Sequence, residues 1–151
     1  MTGTPTVFAG YPAGTRALQL PDTQVKSEFL TSFGRPARNI CDAAERSSDP
    51  TVAQALSVIN GDTLNRKLSA PDGTIALFLK LGLSDRRILE HMFLSAFSRY
   101  PADSERQTLT AALDGAKAGK GTEEARRDVH RQALEDMVWA MLTSKEFLFN
   151  R

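Results

Sequence analysis

Apolar residues from Gln24 onward recur at intervals of three and four, the spacing of helices, and not at the two-residue alternation of strands. Val25, Phe29, Leu30 and Phe33 fall on one helical face, closed by Gly34 and Pro36. Asp49-Pro50 opens the next stripe, since aspartate accepts first-turn N–H groups and proline already holds the helical φ. That stripe, Val52, Ala55, Leu56 and Ile59, ends at Asn60-Gly61. Asp62 is placed to cap a short helix through Leu64 and Leu68, and Pro71-Asp72-Gly73 reads as a turn. Ile75, Leu77, Phe78, Leu79 and Leu81 are apolar on nearly every side, which predicts a buried short helix stopped by Gly82.

The clearest helix begins at Ser84-Asp85 and carries Ile88, Leu89, Met92, Phe93, Ala96 and Phe97 toward a core, with Pro101 expected to end it. A second follows with Leu109, Ala112 and Leu113 inward and Glu105 near its start, where the helix dipole favours an anion. After a glycine-rich loop, Thr122 is expected to cap a long helix bearing Glu123/Arg127 and Arg131/Glu135 pairs. Its inward side is Leu134, Met137, Val138, Met141 and Leu142. Thr143 with Glu146 has the spacing of a capping box, so a break is expected there before Phe147, Leu148 and Phe149. Residues 1–23 show no such period and are rich in glycine and proline, so they read as irregular or extended. The expected fold is all-α: an irregular N-terminal segment (1–23), then a compact bundle of short and medium antiparallel helices (24–151) in a single domain.

Composition narrows the functional classes. With 19 Lys+Arg against 18 Asp+Glu the net charge is +1, which lacks the basic field a nucleic-acid binder uses. The longest apolar run, Met137 to Leu142, is far short of the roughly 20 residues a membrane span requires. The first residues lack the basic and apolar regions of a signal peptide. The one cysteine, Cys41, permits no internal disulfide or multi-cysteine metal site, and no C-x-x-C-H is present for covalent haem.

Candidate chemistry is sparse. The Gly119-Lys120-Gly121 string lacks the Ser or Thr that follows lysine in a phosphate loop, so a helix-to-helix linker is the better reading. His91 and His130 have no ligand-spaced partner, and no serine has a nucleophile-elbow context. Cys41 has arginines nearby in sequence, yet a small buried cysteine is the commoner case. The Trp139, Met137, Met141 and Phe147 cluster fits core packing. The segment that resists a purely structural account is Arg35 to Asn65, where Arg35, Arg38, Asp42, Glu45, Arg46 and Asn60 lie between apolar stripes. Such density makes either an internal ion-pair network, the stronger reading, or a binding pocket for a polar ligand such as a sugar. No residue is nominated as catalytic or metal-ligating, and catalysis by this chain alone is not the expectation.

Several linked strings carry a resemblance: Tyr11-Pro-Ala-Gly-Thr-Arg-Ala-Leu-Gln-Leu-Pro21, Phe33-Gly-Arg-Pro36, Glu45-Arg-Ser47, Asn60-Gly61, Ser98-Arg-Tyr-Pro101 and Trp139 through Asn150. In this order they resemble the C-terminal part of a domain of unknown function found at the C-terminal end of planctomycete cytochrome-type proteins. The resemblance implies a large exported protein with haem c on a separate domain and none in this chain. It also implies lectin-like company, hence polysaccharide as a partner class, and a family domain that extends upstream of Tyr11. The chain is then expected to be the C-terminal portion of a larger domain, offering apolar surface to the missing part or to another protein. Two positions depart from the family pattern. Cys41-Asp-Ala-Ala-Glu45 lacks a second cysteine, which weakens a two-cysteine or metal role. Ala102 replaces a capping threonine, which should loosen a helix start by about 1 kcal/mol. The leading expectation is an accessory, structural segment. The alternatives are part of a hydrolase or redox site completed by upstream sequence, or a small protein-binding adaptor.

Overall fold

The computed structural model describes residues 2–20, 25, 27, 30, 62–119 and 121–148, and from Asp62 onward the three-four spacing is realised among the described residues as six α-helices. These are α1 (Asp62–Leu68), α2 (Thr74–Lys80), α3 (Asp85–Phe97), α4 (Asp103–Lys117), α5 (Glu123–Thr143) and α6 (Lys145–Leu148). No strand occurs among the described residues. Backbone contacts divide the chain into two units, Met1–Thr4 with Thr63–Arg151, and Pro5–Asp62.

Residues 5–20 of the second unit are irregular, in keeping with their glycine and proline content. Turns close through Tyr11 N–H to the Phe8 carbonyl at 3.1 Å and Thr15 N–H to the Pro12 carbonyl at 3.2 Å. A single 3₁₀ turn, Ala17–Gln19, follows, its start held by the Arg16 N–H donating to Gln19 Oε1 at 2.8 Å.

The first unit is built on the stripes read from the sequence. Ile88, Leu89, Leu113 and Leu134 are fully buried and pack with Met92, Phe93, Val138, Met141 and Leu142. Four such side chains from three helices interlock because α3, α4 and α5 each bury one apolar face, and each full burial contributes about 1.5–3 kcal/mol. The turn at Pro71 closes by the Gly73 N–H to the Ala70 carbonyl.

Helix α2 ends as its glycine predicts. Gly82 sits at φ +65°, Leu83 N–H reaches the Phe78 carbonyl and Gly82 N–H the Leu79 carbonyl, both at 3.1 Å. That pair of bonds satisfies carbonyls the helix cannot satisfy itself. The expected full burial of α2 is corrected: only Ile75 is buried, while Leu77 and Leu81 are 51% and 63% exposed. A seven-residue helix lying on a core offers it one face, and Leu77 and Leu81, one turn apart, point away from it.

Two further boundaries differ by a few residues from the sequence reading. Helix α3 stops at Phe97 because Ser98 turns left-handed (φ 55°), ahead of Pro101. The α5–α6 break is capped by Ser144, whose hydroxyl accepts from Phe147 N–H at 3.2 Å, while the Thr143 hydroxyl donates back to the Trp139 carbonyl. Ala102 offers no side-chain cap, and Glu105 compensates by accepting the Ala102 N–H at 2.7 Å. Thr122 caps α5 as expected, accepting from Ala125 N–H at 3.3 Å.

Candidate functional site

The polar cluster singled out by sequence, Arg35, Arg38, Asp42, Glu45, Arg46 and Asn60, lies outside the described residues, as does Cys41. Within the helical unit three charged junctions are formed, two of them between helices distant in sequence.

The first is centred on Arg99. Just past α3, its guanidinium donates to both oxygens of Glu105 at 2.8 Å and to both oxygens of Glu146 at 2.7 and 2.9 Å. The same group lies 5.3 Å from the Phe93 ring centre and 5.4 Å from that of Phe97, stacking charge on aromatic faces. A planar fork with five donors suits this double bidentate grip, which a lysine could not make. Hydrogen bonds from Arg99, with the Ala102 N–H adding, hold the Glu105 carboxyl down at about 2. Arg99 likewise lowers Glu146. The junction ties the end of α3, the start of α4 and α6 together.

The second is centred on Asp85, at the first turn of α3. Its Oδ2 accepts from Lys117 Nζ at 2.5 Å, at the end of α4, and its Oδ1 lies 3.0 Å from His130 Nε2, in the middle of α5. Asp85 and His130 side chains are only 10% and 12% exposed, so this carboxylate–imidazole pair is largely shielded from water. An imidazole oriented by a carboxylate is an arrangement used by general bases. Here, however, Lys117 holds the second carboxylate oxygen, so Asp85 joins three helices at once. The third junction is Glu135, buried on α5. It accepts from Arg131 Nε at 2.7 Å, and Arg131 in turn donates to the Ser69 carbonyl at 2.7 Å.

His91 stands on the exposed side of α3 with its ring 5.4 Å from that of Phe78. Among the described residues no group of three His, Cys, Asp or Glu side chains is placed to hold a metal ion. Nor does any buried polar side-chain atom among them lack a hydrogen-bond partner. Sequence reasoning found the Glu123/Arg127 and Arg131/Glu135 pairs, which are four residues apart and bonded. It missed Arg99–Glu146 and Asp85–His130, separated by 47 and 45 positions, for which no local spacing gives a signal.

Residues 11–113 match the family described as Protein of unknown function (DUF1553), PSD1. The chain belongs to the DUF1553 family. No curated protein and no solved structure matches the chain. The DUF1553 match ends at Leu113, a fully buried residue inside α4, so Arg99, Glu105 and Asp85 lie within it. Their partners Glu146, Lys117 and His130 lie beyond it, as does the Trp139 to Asn150 string.

Proposed function

We propose that this chain is an accessory, structural segment of a large exported planctomycete protein that carries cytochrome c-type haem on another domain and serves polysaccharide handling. One observation supports the structural part. The most enclosed charged side chains of the helical unit, Asp85, His130 and Glu135, are engaged by groups on neighbouring turns and helices, with Arg99 doing the same at the α3–α4–α6 junction. Side chains so engaged fix helix ends and lose freedom to contact a substrate. The planctomycete source, the export, the haem and the polysaccharide are supported by the string resemblance. Covalent c-type haem takes two cysteines ahead of a histidine, and this chain has one cysteine, so its residues do not fit that group.

The second reading, a hydrolytic site completed by other sequence, is favoured by the carboxylate–imidazole pair Asp85–His130. The two separate in one assay series with chromogenic esters and glycosides, run on the large parent protein of the proposal and on its His130→Gln variant. The structural reading expects the same turnover in both. Turnover that falls in His130→Gln while its melting curve stays that of the parent would overturn it in favour of the site.

A further inference from the structure

Helix α2 begins with an N–H at Thr74 that no residue of its own helix can accept. The acceptor comes from the far end of the sequence: Thr74 N–H donates to the Thr2 carbonyl at 3.0 Å. Two residues on, the Thr4 hydroxyl donates to the Lys67 carbonyl at 3.4 Å, in the last turn of α1, and Lys67 Nζ donates to the Thr4 carbonyl. Residues 2–4 thus supply an acceptor to the start of α2 and a donor to the end of α1.

The residue between these contacts is under a strict steric limit. Gly3 adopts φ +74°, and a Cβ there would stand 2.6 Å from Thr74 Oγ1 and 3.0 Å from Thr74 N. Gly73 opposite is confined too, though less tightly, since its Cβ would meet the Ala70 carbonyl at 3.1 Å and the Thr2 carbonyl at 3.4 Å. Two glycines let two backbones approach, and only a residue without a side chain fits this left-handed position. Lys67 is drawn far enough from water that burial pushes its amine below the usual lysine value, so its grip on Thr4 is made by a group partly stripped of solvent.

We propose that Thr2-Gly3-Thr4 is a strap that locks the α1–α2 corner, and that the start of α2 opens when the strap is released while the core of α3, α4 and α5 stays closed. The chain leaves the helical unit at Thr4 and re-enters it at Thr63. The strap's contacts with Thr74 and Lys67 all lie within the helical unit. Released, it takes the acceptor from Thr74 N–H and the donor from the Lys67 carbonyl, while α3, α4 and α5 keep their own core.

Amide hydrogen exchange on the full chain tests this at one atom, because Thr74 N–H owes its hydrogen bond to the strap. Thr74 should be protected in the parent. In Gly3→Ala and in Lys67→Met it should exchange at least tenfold faster, with Ile88 and Leu134 unchanged. Gly10→Ala shares a positive φ but has nothing within 4 Å of its Cβ, and should leave Thr74 at the parental rate. Should Gly3→Ala also speed Leu134, Lys67→Met alone provides the comparison. An unprotected Thr74 in the parent, or equal Thr74 rates in parent and Lys67→Met, would overturn the strap.

Discussion

Helix α5 is two helices in physical terms. From Glu123 to Val129 every residue is exposed, and the turns are held by local means: the Thr122 cap, acidic Glu123 and Glu124 at the positive end of the dipole, and the Glu123–Arg127 pair. From Leu134 to Leu142 the helix is held by what it buries, with Leu134, Val138, Met141 and Leu142 in the core and Glu135 sealed beneath Arg131. Local devices contribute tenths of a kcal/mol each, whereas a buried leucine contributes several times that. The same helix is therefore an arm at one end and a keystone at the other, and only the second end should control the stability of the unit.

Substitutions that break this contrast should rank accordingly. Leu134→Ala, at a site with no solvent exposure, should cost about 3 kcal/mol by chemical denaturation, since it loses transfer energy and leaves a cavity. Arg99→Met should cost about 1 kcal/mol, because its stacking on Phe93 and Phe97 and its grip on α6 are lost at a partly exposed position. Acid provides a related measurement of smaller size. Glu105 is depressed to about 2 from 4.5, so its contribution is present above the unfolded value and is lost as pH falls from 4.5 toward 2. Denaturation midpoints should decline over that window, and Arg99→Met should flatten the decline. Thr122→Ala should cost about 0.5 kcal/mol, with faster amide exchange confined to the first turn of α5. Glu123→Ala, at an exposed pair, should change stability by about 0.3 kcal/mol or less.

The arm was readable from sequence almost residue by residue because its stabilising partners lie within four positions. The inward face of the keystone was readable too, since the three-four spacing of Leu134, Val138 and Met141 names it. What could not be read is which distant group each charge meets. Arg99 sits beside Tyr100 and Pro101 in the sequence, and nothing local announces Glu146 as its partner. Asp85 looked like a helix-start residue and is also the meeting point of Lys117 and His130. The opposite error occurred at α2, where continuous apolar residues suggested burial but a short helix on a core has an outer side, occupied by Leu77 and Leu81. The cluster from Arg35 to Asn60 lies outside the described residues.

The family match stops at Leu113, yet Leu113 is buried in the same core as Leu134, Val138 and Met141 of α5. The keystone half of α5 is thus part of the folding unit although it lies past the matched residues. The most direct test shortens the chain to end at Ala118 and follows thermal unfolding by circular dichroism beside the full chain. Loss of a cooperative transition in the shortened chain is the predicted result. A cooperative transition with a midpoint within a few degrees of the full chain would contradict the role assigned to α5.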